Sequence, residues 1–168
     1  MNNMGNGCRK ANVNVYFKAR KNAAEYDDRL SSREGASELI GVSESTLADY
    51  ELGCTKVVPV DKVCLMAEYY HSPELKNWYC KNECPIGKDM PIATEAKGIE
   101  GVVLKLIQQF SADRMDDFLN KVIDIAQDGE VTDQEIGALK MTMEWASTME
   151  MALNQFRLSA EKIMGVRQ

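Results

Sequence analysis

Apolar residues recur along the chain at steps of three and four, the period of an α-helix, and no segment alternates in the two-residue rhythm of a strand. Between Val13 and about Glu25, the apolar positions Val13, Tyr16, Phe17, Ala23 and Ala24 predict a first helix. The stretch from Ser31 to Gly53 carries the sharpest pattern. Ser31, with Glu34 three residues on, reads as a capping box, in which each side chain bonds the other's backbone N–H. Ala36, Leu39 and Ile40 then share one helical face. Gly41 ends that helix, because glycine enters the left-handed region without a steric penalty. Ser43 caps a second short helix whose Leu47 and Tyr50 point inward, and Gly53 ends it in the same way. Two short helices across a glycine turn predict a helix-turn-helix. Val58-Pro59 breaks the chain. Val60, Val63, Cys64 and Ala67 then place a fourth helix running through Tyr70, and Ser72-Pro73 starts a fifth with Leu75, Trp78 and Tyr79 on its apolar face.

Residues 84–93 interrupt this rhythm. Pro85, Gly87 and Pro91 forbid a continuous helix there and predict a linker. Beyond it, Thr94 is placed to cap a helix with the stripe Ile99, Val102, Val103, Leu106, Ile107 and Phe110. Ser111 is placed to cap the next, with Met115, Phe118, Leu119, Val122, Ile123 and Ala126, and Asp128-Gly129 ends it. Thr132 and Glu135 form another capping box. From there to Met164 no proline intervenes, and Ile136, Leu139, Met143, Ala146, Met149, Leu153, Phe156, Ala160 and Ile163 form one apolar seam. The expected fold is all-α. It comprises an N-terminal five-helix, helix-turn-helix domain over residues 13–83 and a C-terminal three-helix domain over residues 94–165 with a long final helix. Residues 1–12 are too polar to join a core and predict a disordered basic arm.

The run from Ser32 to Gly53, S-R-E-x-A-S-x-x-I-G-V-S-x-S-T-L-x-x-Y-E-x-G, resembles the helix-turn-helix of the Cro/repressor-type (XRE) family of transcriptional regulators. With its flanking helices the resemblance covers roughly Val13 to Tyr79, less than half of the chain. It implies sequence-specific binding of double-stranded DNA by a dimer, with the helix at about Ser43–Glu51 in the major groove. Ser43, Glu44, Ser45, Ala48 and Asp49 would then meet base edges. Serine bonds either edge of a base pair, and Glu or Asp accepts from a cytosine amino group. Arg33 would reach a phosphate or a guanine. Glu51 would hold the first helix, with Arg20 as its partner.

Charge complicates that expectation. The chain carries a net −6, and Glu44, Asp49 and Glu51 leave the second helix of the motif without a cation. Residues 1–24, by contrast, hold Arg9, Lys10, Lys18, Arg20 and Lys21 and no acid. Phosphate contact is therefore expected from Arg9 and Lys10 of the arm and from Arg33, Lys56 and Lys62. The rival reading is a protein-interaction adaptor that keeps the helix-turn-helix fold without binding DNA. The net charge of the folded face discriminates between the two.

Other chemistry finds thinner support. Five cysteines in a chain without an apolar signal segment point to reduced thiols and a cytoplasmic protein. Cys80 and Cys84 share a helical face, with Cys54 and Cys64 upstream, but no second matched pair completes a zinc site. Asp124 to Glu135 matches much of a calcium loop, yet its third place is Ala126, and a helix stop plus capping box accounts for the same letters. His71 is the sole histidine, and no nucleophile motif or phosphate loop is present, so no catalysis, metal or cofactor is expected. No run of eighteen apolar residues spans a membrane. The two helices before the last one are each about half its length, so together they would cover one side of it. That leaves a strip with Met141, Met149, Ala152 and Phe156 for a homodimer contact.

Overall fold

The computed structural model describes residues 14–126 and 129–166. Among them eight α-helices follow in order: α1 Val15–Ala23, α2 Arg33–Ile40, α3 Glu44–Leu52, α4 Val60–Tyr69, α5 Glu74–Asn82, α6 Ile99–Gln109, α7 Ala112–Ala126 and α8 Ile136–Val166. The protein is all-α, with a final helix of 31 residues. The expected arm, including Arg9 and Lys10, lies outside the described residues, as does Asp128.

Local chemistry explains the helix ends, with three departures from expectation. Ser32, not Ser31, caps α2, its Oγ accepting from the Gly35 N–H at 3.1 Å. Ser31 belongs instead to a 3-10 turn, Asp28–Ser31, which drives Leu30 into the core and so shifts the register by one. Ser72 does not cap α5: its hydroxyl is buried and donates to the Tyr70 carbonyl at 3.0 Å. Thr94 does not start α6, which begins five residues later. Side chains of α8 hold the intervening segment extended, Asn154 accepting from the Ala93 N–H at 2.8 Å and Ser159 from the Lys97 N–H at 3.2 Å. Gly41 and Gly53 do take the left-handed conformation, with φ of 69° and 68°. The Thr132–Glu135 box forms as well, the Glu135 carboxylate accepting from the Thr132 N–H at 2.9 Å and from its hydroxyl at 2.7 Å.

α1 to α5 enclose one apolar core built on Tyr16, Leu30, Ile40, Leu47, Met66 and Leu75. Residues 84–93 are docked rather than loose. A methyl group at Gly87 would lie 2.1 Å from the Cys80 carbonyl, so only glycine lets this turn lie on α5. Lys81 donates to the Met90 carbonyl at 2.8 Å, and Asn77 to that of Ala93 at 2.8 Å. Ala93 is buried.

The last three helices are arranged differently. α6 lies beside the Thr148–Gln155 part of α8, and α7 beside Met141–Thr148, so the two run end to end along it. Phe118 meets Trp145 with ring centroids 4.4 Å apart. Within these helices Val102, Ile125 and Leu158 are the buried apolar side chains among the described residues. The expected seam of α8 is only partly covered. Ile136, Met143, Ala146, Leu153, Phe156 and Ile163 are exposed and Leu139, Met149 and Ala160 are half-buried, as are Trp145 and Ala152 beside them, while Thr142, Leu158 and Ser159 are buried. Val103, Ile107 and Phe110 of α6 and Leu119 and Ile123 of α7 are open too.

Candidate nucleic-acid interface

The helix-turn-helix comprises α2, the Gly41 turn and α3. Three side chains hold α3 in place from within. Tyr50 and Leu47 are buried apolar anchors, and Glu51 is 0 % exposed. A carboxylate removed from water to that degree needs cations and hydrogen bonds around it. Arg20, itself 2 % exposed, supplies a bidentate pair, its Nη2 lying 3.0 Å from Oε2 and its Nε on Oε1. The spare guanidinium donors reach the Leu30 and Ser31 carbonyls at 2.9 and 3.2 Å. α1, the 3-10 turn and α3 are thus tied through one arginine. Arg33 completes the cluster, its Nε donating to Glu51 Oε2 at 2.7 Å.

A second lock closes the opposite end of α1. Asn14 caps α1 and donates to the Tyr50 carbonyl at 2.9 Å. The Tyr16 hydroxyl donates to Glu83 at 3.2 Å, and Glu83 also accepts from the Val58 N–H at 3.1 Å. Burial, then the Glu83 charge, pushes the Tyr16 hydroxyl well above the usual tyrosine range. Tyr70 is raised likewise by burial, and its hydroxyl has no hydrogen-bond partner.

On the outer side, Ser43 caps α3, its Oγ accepting from the Thr46 N–H at 3.1 Å and contacting the Ser45 and Thr46 hydroxyls at 2.9 and 2.7 Å. Ser43, Glu44, Ser45 and Asp49 are exposed and Ala48 is half-buried, so α3 presents them together on one open face. Lys56 is exposed beyond the end of α3. Two other expected phosphate contacts are engaged. Arg33 is held by Glu51, and Lys62 donates to the Ile40 and Gly41 carbonyls at 3.1 and 3.3 Å, where it serves the C-terminus of α2. Periodicity marks helix faces but not such reach from α2 or α4, and no signal at Lys62 distinguishes it from a free cation.

Residues 31–62 carry three cations, Arg33, Lys56 and Lys62, against six acids, Glu34, Glu38, Glu44, Asp49, Glu51 and Asp61. This segment is net negative even though Glu51 is spent inside the core.

The cysteines require one correction. Cys54 is disulfide-bonded rather than a reduced thiol, while Cys64, Cys80 and Cys84 are free. Among the described residues no three His, Cys, Asp or Glu side chains converge as a metal site would need. No described helix is long and apolar enough to cross a membrane. Comparison with known protein families, curated proteins and solved structures finds no match to this chain.

Proposed function

We propose that this protein is a DNA-binding transcriptional regulator of the Cro/repressor (XRE) type, acting as a homodimer joined through its C-terminal helices. The observation that carries the reading is the Arg20–Glu51–Arg33 cluster. It secures α3 from the inside while leaving Ser43, Glu44, Ser45 and Asp49 open on one face. A helix inserted into the major groove must be held from behind and bare in front. Affinity in this reading comes from Lys56 and the basic residues ahead of α1, Arg9 and Lys10 among them, and base selection from α3.

A second reading has an observation of its own. The net negative charge of residues 31–62 opposes a phosphate backbone and suits an adaptor that retains the fold without DNA. Binding to DNA from upstream of the protein's own gene, at two salt concentrations, separates the two. The regulator reading expects specific binding that weakens steeply with salt. It expects Ser45→Ala and Asp49→Ala to change base preference by about 1–3 kcal/mol per contact. Lys56→Ala should weaken all DNA alike and flatten the salt slope. Absence of binding at low salt, or identical behaviour of all three variants on specific and random DNA, returns the adaptor.

A further inference from the structure

The most conspicuous unused feature of the molecule is the open side of α8. Leu139, Ala146, Leu153 and Ala160 stand seven residues apart, flanked by Met149 and Phe156, over about 32 Å at 1.5 Å per residue. Leu153 is 50 % exposed and Phe156 39 %. Own-chain neighbours occupy parts of the other sides of this helix, where Met141, Glu144, Ser147 and Thr148 are exposed as well. α6 and α7 cover the side of Trp145 and Ala152. The N-terminal helices and residues 93–97 hold Asn154, Ser159 and Lys162, the last donating to Glu74 at 2.9 Å and to Ser72 at 3.0 Å. A heptad seam on one long helix, exposed at Ala146, Leu153 and Phe156 and half-buried at Leu139, Met149 and Ala160, has the form of one strand of a coiled coil.

Charge decides what lies on it and in which direction. Along the solvent flank of the seam the heptad places Met143, Glu150, Arg157 and Met164. Glu150 and Arg157 are both exposed, Arg157 with only a distant 3.8 Å contact to Glu161. In a parallel pair this flank would face the opposite flank of the partner, where Trp145 and Ala152 lie under α6 and α7. In an antiparallel pair each flank meets its own counterpart. A two-fold axis beside Leu153 then sets Glu150 opposite Arg157 of the second copy, twice over. It also sets Met143 opposite Met164, and Ala146 opposite Ala160.

Building on the dimer reading above, we infer that a second copy of this chain docks antiparallel along α8, with Leu153 at the two-fold axis and Glu150–Arg157 pairs crossing between the copies. Lys162, where α8 meets the N-terminal helices, is nine residues from that axis. The two such points stand about 27 Å apart along the helices. Helix-turn-helix units extending outward from them suit half-sites one turn of DNA apart.

Sedimentation of the full chain, with helicity followed by circular dichroism, tests the inference without reference to DNA. The unmodified chain is expected to dimerise at micromolar concentration. Leu153→Asp is expected to give a monomer of unchanged helicity, because the residue is solvent-exposed within one chain. Glu150→Arg and Arg157→Glu are each expected to weaken association on the order of tenfold, since like charges then meet at two symmetric places. The double variant E150R/R157E should restore association to within about twofold of the original. A chain that stays monomeric at tens of micromolar, or a Leu153→Asp variant that still dimerises, removes the second copy from this face. Loss of dimer in Leu153→Asp without rescue in the double variant overturns the antiparallel arrangement alone and leaves the dimer reading standing.

Discussion

The two halves of this molecule use similar apolar letters to opposite ends. α1 to α5 are short, yet they wrap their stripes around one another until Leu30, Ile40, Leu47, Met66 and Leu75 are fully out of solvent. α6 to α8 carry the cleaner stripes and the longest helix, yet many of their apolar side chains stay more than a third exposed. The difference lies in topology. Five short helices crossing at several angles close a core, whereas two helices laid end to end against a third make a ribbon with two faces. A ribbon cannot bury more than one side of each helix, however regular its heptads. Polar chemistry follows the same division. In the first half acids and cations are built inward, as Arg20 and Glu51 are. In the second they stay at the rim, as Glu150 and Arg157 do.

The largest expected effect follows from that contrast. Glu51→Ala strands Arg20 in the core without its counter-charge and should cost about 3–5 kcal/mol of stability. Glu150→Ala, at an exposed helical position, should change the stability of a single chain by no more than about 0.5 kcal/mol. Denaturant unfolding of both variants at low protein concentration checks the pair. Equal costs would mean that the two halves are not built differently after all.

Sequence and structure meet unevenly along this chain, for physical reasons. Helix existence was legible nearly everywhere, since the three-and-four rhythm survives whatever the helices pack against. Glycine stops at Gly41 and Gly53 were legible too, because a left-handed residue has few alternatives to glycine. Starts were less so. Ser31 and Ser32 are both sound caps, and the choice fell to Leu30, whose burial depends on the rest of the core. Thr94 lost to Asn154 and Ser159, partners some sixty residues away that no local window contains. At the candidate site, the open residues of α3 follow from helical phase. The engagement of Arg33 and Lys62 does not, because a long cation's partner depends on tertiary distance. The seam of α8 is the instructive case. Its apolar repeat was legible, and so was the partial cover that two shorter helices give it, with Met141 and Phe156 exposed as expected. Which margin stays bare was not legible, since Met149 and Ala152 of the expected strip are half-buried.

A second, smaller test concerns alkaline pH. The Tyr16 hydroxyl is raised by burial and by Glu83, so its neutral form is favoured in the folded state. Its contribution is fully present below the unfolded-state value near pH 10 and is lost as pH rises beyond it. The stability difference between the original chain and Tyr16→Phe should therefore shrink by about 1.4 kcal/mol for each pH unit above 10. A difference that stays constant from pH 9 to pH 11 would show that the Tyr16–Glu83 contact does not govern this end of α1. The C-terminal ribbon takes no part in this lock, so the same comparison isolates the first half.

The smallest expected effect sits where stability and the proposed function overlap. Ser43 caps α3 through the Thr46 N–H, and it is also on the open face. Ser43→Ala removes the acceptor and should cost about 1 kcal/mol, the usual worth of such a cap. Ser43→Asp retains an acceptor and adds a negative charge at the N-terminus of α3, where the helix dipole favours it, so stability should return to within a few tenths of a kcal/mol. DNA responds to the two variants differently. An aspartate at the mouth of the groove repels phosphate, so under the regulator reading Ser43→Asp binds more weakly than Ser43→Ala, although it is the more stable protein. Under the adaptor reading any effect on a partner follows stability, and the order reverses. Thermal melts fix the stability order and the DNA assay fixes the other. Agreement between the two orders would count against the proposed interface, and opposition between them would support it.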